Sequence, residues 1–191
     1  MPENEILPIV VSPSGQATHL NVRETINELV ERSNGFIDYN DTSTSTAPLN
    51  LPADTWVTLP NDGLGAFTNK SYAPSGITEM MDSSTGELDF TQLALGTNLI
   101  IRNDYEVTPN VNNAQLQIRY SLGGNGGGYS LPTKLGRLDS GSGVGYRFTL
   151  KPDYIYIGDT NTRDNPGAIQ IKLSAAGTAV NYGSVIGVIK Q

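Results

Sequence analysis

The run Asp159-Thr160-Asn161-Thr162-Arg163-Asp164-Asn165 holds the chain's densest set of side-chain oxygens, and Asp159, Asn161 and Asp164 are the donor types that a hard cation such as Ca²⁺ takes. The run lacks the glycine and distal glutamate of an EF-hand loop. The simpler expectation is therefore a loop held by Asp and Asn side chains on its own backbone, with Arg163 paired to a carboxylate and no metal bound. Acids also stand near one another as Asp82 with Glu87 and Asp104 with Glu106, the residue type of a glycosidase pair, but spacing alone does not separate them from surface acids. His19 is the only histidine, there is no cysteine, and no G-x-S-x-G occurs, so the constellation that activates a nucleophile is missing. Gly124-Asn125-Gly126 and Gly141-Ser142-Gly143 are not followed by Lys-Ser/Thr and open no helix, so they are expected as hairpin turns rather than phosphate cradles. No catalytic residue and no cofactor is expected.

The elements that position these residues are mostly strands. Large side chains alternate in Val144-Tyr146-Phe148-Leu150 and again in Ile169-Ile171-Leu173, the period of a strand with one buried face. Between them Tyr154-Ile155-Tyr156-Ile157 is apolar on both faces, which suits a strand covered by a core on one side and by another subunit on the other. Two loops separate these runs, one at Lys151-Pro152-Asp153 and one from Gly158 to Gly167. Leu99, Ile101, Tyr105 and Val107 oppose Arg102, Asp104 and Glu106, and Ala114, Leu116, Ile118, Tyr120 and Leu122 alternate with Gln115, Gln117, Arg119 and Ser121, predicting a meander with one wet face. Trp56 to Leu59 predicts a further strand, and Val180 to Ile189 a last one too apolar to lie at an exposed edge. The fold class expected is all-β, an antiparallel jelly-roll sandwich over residues 55–191.

Residues 1–54 read differently. Ile6, Leu7, Ile9, Val10 and Val11 lie among prolines and predict an extended arm that adds to a sheet edge, its own or another chain's. Asn21 with Glu24 resembles a capping box, and Val22, Ile26, Leu29 and Val30 repeat at helical spacing, so one short helix is predicted over 21–34. That stripe packs on the β domain or on symmetry mates. Residues 36–54, with the run Asp41 to Thr46 and Pro48 and Pro52, read as a linker.

The 191 residues carry a net charge of −7 and no run of Lys or Arg, which argues against nucleic acid as a partner. No apolar run approaches membrane-spanning length, and the acidic, proline-broken N-terminus does not make a signal peptide.

From Tyr154-Ile155-Tyr156-Ile157-Gly158 through Asp164-Asn165-Pro166, with Leu88-Asp89-Phe90, the strand from Leu99 to Asp104 and the strand ending at Tyr120, the sequence resembles structural proteins of tailed bacteriophages. Those proteins carry a trimeric jelly roll of tumour-necrosis-factor-like or complement-globular-head-like type. The resemblance covers about residues 55–191, as a pattern. It implies a homotrimer with Tyr146, Phe148, Tyr154, Tyr156, Tyr182 and Ile186 in the core or around the threefold axis, on the exterior of the virion. The expected role is capsid decoration, as a cement or head-fibre protein bound to the major capsid protein or another virion protein through its N-terminal arm. The alternative is a receptor-binding tail-fibre tip or a lectin-like module for host-surface glycan.

Overall fold

The structure is a computed structural model that describes residues 34–124, 128–150 and 152–190. The chain divides into two units, Met1–Arg32 and Ser33–Gln191, and all described residues belong to the second. The arm residues Ile6 to Val11, His19 and the helix residues Val22, Ile26, Leu29 and Val30 lie outside them. Asn34, expected as the last helical residue, is instead the first of a strand.

The strands are β1 (Asn34–Asn40), β2 (Leu49–Leu51), β3 (Val57–Thr58), β4 (Met81–Asp82), β5 (Glu87–Leu88), β6 (Asn98–Pro109), β7 (Ala114–Leu122), β8 (Tyr129–Leu138), β9 (Tyr146–Thr149), β10 (Asp153–Tyr156), β11 (Ala168–Leu173) and β12 (Gly177–Ile189). Two one-turn helices, α1 (Ser43–Thr46) and α2 (Thr160–Asp164), interrupt them. The large sheet runs β1-β12-β6-β10, with β2 added to β12 and β9 to β6, and the smaller one runs β3-β11-β7-β8. Strands therefore pair from the outside of the sequence inward: β1 with β12, β3 with β11, β6 with β9 and β10, β7 with β8. Such nested antiparallel pairs, divided between two sheets, are a long hairpin rolled up, the jelly roll.

The core follows from the alternation. Leu99, Ile101, Tyr105 and Val107 of β6, and Leu116, Ile118, Tyr120 and Leu122 of β7, are all buried. Each such side chain contributes about 1.5–3 kcal/mol by leaving water. Tyr120 ties the sheets together by donating its hydroxyl hydrogen to the Ile101 carbonyl at 3.0 Å. The apolar last strand is central, with β1 on one side and β6 on the other.

The expected domain boundary is corrected. The boundary at residue 54 moves to near 33, because residues 34–54 belong to the sandwich. Phe36 to Tyr39 had too few apolar residues to show a period, yet Ile37 and Tyr39 are buried in the core. The Ser/Thr run is ordered because the buried Asp41 carboxylate accepts hydrogen bonds from Ser43 Oγ, Thr44 N, Thr44 Oγ1 and Asp62 N at 2.6–2.9 Å. Thr44 Oγ1 in turn accepts from Asn181 N of β12 at 2.7 Å. The break expected at Lys151-Pro152-Asp153 falls between β9, which ends at Thr149, and β10, which Asp153 itself begins. β9 and β10 are successive pieces of one line along the same edge of β6, with a one-residue shift in register between them.

The free edge of β1 is covered by its own chain: Phe36 N donates to Tyr72 O at 3.0 Å, and Asp38 and Asn69 exchange both backbone bonds at 2.9 Å. β8 is the opposite case, an edge strand with Pro132 at its middle, where proline removes a donor from pairing.

Candidate functional site

The outer face of the large sheet collects side chains that a lone sandwich would not expose. Register places Phe36, Gly187, Ile100 and Tyr154 in one row across β1, β12, β6 and β10, and Asn34, Ile189, Asn98 and Tyr156 in the next. Since Leu99, Ile101, Ile155, Ile186 and Val188 point into the core, the residues between them point out. Tyr154 is 73% exposed and Tyr156 57%. Phe36 is exposed and stacks on exposed Tyr72 with ring centroids 5.1 Å apart, and Ile189 completes the patch.

Beyond these rows the face turns polar with both signs of charge. Arg102 pairs with Asp104 at 3.2 Å, and Asp38 lies two strands from Arg102 in the same row. Burial raises the Asp38 carboxyl above its ordinary range, opposed by Arg102 and reinforced by Asp104. Farther along, Tyr182 Oη donates to Glu106 Oε2 at 3.0 Å while the Arg147 guanidinium lies 4.2 Å from the Tyr182 ring centroid. Tyr182 sits at a bulge whose Gly183, at φ +135°, lies against the Tyr39 carbonyl where any Cβ would collide.

A second uncovered apolar surface lies at the flank formed by β8. Leu131 and Tyr129 pair with the inward-facing Tyr120 and Leu122, so they occupy core-side positions, and yet both are exposed.

No protein-family model and no curated sequence matches the chain. Among solved structures it is similar to Eiger TNF from S. frugiperda, with TM-score 0.46 and 10% identity over 84% of this chain and 94% of that one. It is also similar to chains from infectious bursal disease virus: the Gx strain (TM-score 0.40, 13% identity) and the Gt strain (TM-score 0.41, 12% identity). Those matches cover 82% and 84% of this chain but only 32% and 34% of the virus chains, so the chain spans about a third of their length. The jelly-roll assignment itself stands on the strand pairing above.

The six residues expected in the core or around a threefold axis divide between the two faces. Ile186 is fully buried, and Tyr146 and Phe148 are half-buried against the core, Phe148 stacked on Tyr105 at 5.6 Å. Tyr154, Tyr156 and Tyr182 point outward. Sequence reading missed Phe36, Tyr72, Ile100 and Ile189 as their companions. The alternation of Leu99 and Ile101 with Ile100 was the one signal available, since an isoleucine on the wet side of a strand has no core reason to be there.

The acidic run 159–165 is a capped turn of helix rather than a loop. Asp159 accepts from Thr162 N at 2.7 Å as the cap of α2. Asp164 is held by Arg163 through two bonds, at 2.6 and 3.0 Å, and that pairing holds its carboxyl below the usual range. Asn161 Oδ1 accepts from Asn165 Nδ2 at 3.1 Å. Each oxygen group thus has a separate protein partner, and among the described residues no three His, Cys, Asp or Glu side chains are grouped to hold a metal. Asp82 accepts from Ser84 and lies opposite half-buried Glu87 on the β4–β5 hairpin, while Asp104 and Glu106 are engaged by Arg102 and Tyr182.

Proposed function

We propose that the protein is a non-catalytic structural protein of a tailed-phage virion: a homotrimer that decorates the exterior of the capsid as a cement or head-fibre protein. The jelly roll faces outward, and residues 1–33 attach it to the major capsid protein or another virion protein. The observation that carries the self-association is the outward-facing row Phe36–Ile100–Tyr154, its two aromatics exposed and Ile100 half-buried, with exposed Tyr156 and Ile189 beside it. An apolar patch of this kind on a soluble chain marks an interface.

The occupant proposed is a second copy of the chain. Two different apolar surfaces, this face and the β8 flank with Leu131 and Tyr129, are what a heterologous contact requires, and such contacts form a closed ring where the rotation between copies closes. The mixed signs of Arg102, Arg147, Asp38 and Asp104 around the patch give the approaching copy charges to pair with. The sequence resemblance to trimeric phage jelly rolls supports three copies. Three arms on one particle would gain avidity without strong single contacts.

The test compares the full chain with one lacking residues 1–33 in co-sedimentation with purified capsids of the phage. The full chain is expected to pellet with capsids, and the shortened chain to remain an oligomer in the supernatant. Pelleting of the shortened chain to the same extent would overturn the arm as the anchor.

A further inference from the structure

The outer face of the smaller sheet has a different character. Its outward positions, read across the register, are Trp56, Thr58, Gln170, Lys172, Gln115, Gln117, Arg119, Lys134 and Arg137, with serines at the margins. In a chain of net charge −7 these strand positions hold four cations and no acid. Elsewhere among the described residues Lys70, Arg102 and Arg163 each pair with a carboxylate, while Arg147 rests on the Tyr182 ring and Lys190 donates to the Ser75 carbonyl; none of the four on this face has a carboxylate partner.

Two of the cations are held in place by neutral groups. Arg119 Nε donates to Gln170 Oε1 at 2.8 Å, and Arg137 Nε donates to Asn113 Oδ1 at 2.9 Å. Each bond fixes a guanidinium plane and leaves its terminal N–H fork without a carboxylate. Arg119 also lies 4.3 Å from the Trp56 ring centroid and Lys172 5.1 Å, so the indole is a platform on which both cations rest. Between Gln115, Gln117, Lys134 and Arg137 lies a shallow depression of about 200 Å³, opened where β8 bulges at Gly136, which has φ +121° and no side chain.

We infer that this face binds an acidic polysaccharide, its carboxylates or sulfates taken by Arg119, Lys172, Lys134 and Arg137 and its hydroxyls by the glutamines. Forked guanidinium donors match a carboxylate in two bonds. Glutamine, serine and threonine both donate and accept, which suits a hydroxyl-rich chain. A protein partner fits less well, because the centre of a protein interface needs apolar anchors and the outward positions here offer only Pro132 and a Trp56 already stacked by two cations. The inference uses the outward positions of the smaller sheet, whereas the trimer contact uses the outer face of the large sheet and the core-side positions Leu131 and Tyr129 at the β8 edge.

Trp56 is the only tryptophan, so its fluorescence reports on this face directly. The full chain is titrated with alginate, a uronic-acid polysaccharide, with neutral dextran, and with poly-L-glutamate as an acidic polypeptide. Alginate is expected to change the emission saturably, more strongly at low salt, while dextran has no effect. Arg119→Gln with Arg137→Gln should weaken alginate binding by about tenfold or more, and Lys134→Gln, at an exposed edge position where folding is not at risk, should weaken it severalfold. Arg163→Gln, on the α2 turn, should leave it unchanged. Absence of a saturable response to alginate would overturn the inference. Equal response to poly-L-glutamate would do so too, by assigning the face to an acidic protein.

Discussion

Tyr154 stands directly across from Ile100 in the ladder between β10 and β6, and both side chains leave the sheet on the side away from the core. Their chain neighbours Ile155, Leu99 and Ile101 are buried, so the strand spends apolar residues on both faces. Among the described residues only one of those faces has something to pack against.

Ile100→Asp is therefore expected to weaken self-association without unfolding the protein, since the half-buried side chain makes no part of the sandwich interior. A loss of at least about tenfold in association constant is expected from a charge placed in an apolar contact. Size-exclusion chromatography with light scattering across a dilution series, beside thermal melting, checks both halves of the statement.

Two buried tyrosines offer a matched pair. Tyr120 donates to the Ile101 carbonyl, whereas Tyr105 Oη is buried with no protein partner among the described residues. Tyr120→Phe should cost about 0.5–1.5 kcal/mol, and Tyr105→Phe should be neutral or stabilising. Denaturant unfolding of the two variants gives the comparison.

Asp41 is the group on which the 41–46 turn depends, accepting four hydrogen bonds while buried. Asp41→Ala leaves the Thr44 and Asp62 amides without acceptors and loosens the turn from β12. A loss of about 3 kcal/mol is expected, read as a fall in unfolding midpoint.

Glu79 supplies a pH dependence. Burial raises its carboxyl, but hydrogen bonds from Lys70 and Tyr39 outweigh that and hold it below the 4.5 of an ordinary glutamate. A depressed carboxylate pKa contributes stability that is present above the unfolded value and lost as pH falls through the folded one. Thermal stability should therefore drop below about pH 4.5. Glu79→Gln should be less stable at pH 7 and show a shallower acid slope. A variant with an unchanged slope would show that other acids set it.

The long strands were legible because β6, β7 and β11 each have one wet face, so a period of two is written in Leu99 to Val107, Ala114 to Leu122 and Ile169 to Leu173. Alternation gives a period but not which side is inward, so the residues that the resemblance placed in the core or around a threefold axis were divided between those two places only by the structure, with Phe148 and Ile186 inward and Tyr154 and Tyr156 outward. β1 was hidden because its few apolar residues adjoin a Ser/Thr run, and the order of that run comes from Asp41, a tertiary feature. The basic face was invisible for a related reason. Arg119, Lys134, Arg137 and Lys172 are scattered along the chain with no run between them, and only the pairing of β11, β7 and β8 brings them onto one surface.

Sedimentation velocity on the full-length protein at micromolar concentration tests the central claim most directly. A single species at three times the 20.4 kDa chain mass, shifting to smaller species on Ile100→Asp, is the result expected. A stable 20.4 kDa monomer across the concentration range would contradict it, because the Phe36–Ile100–Tyr154 row would then face water in the working protein.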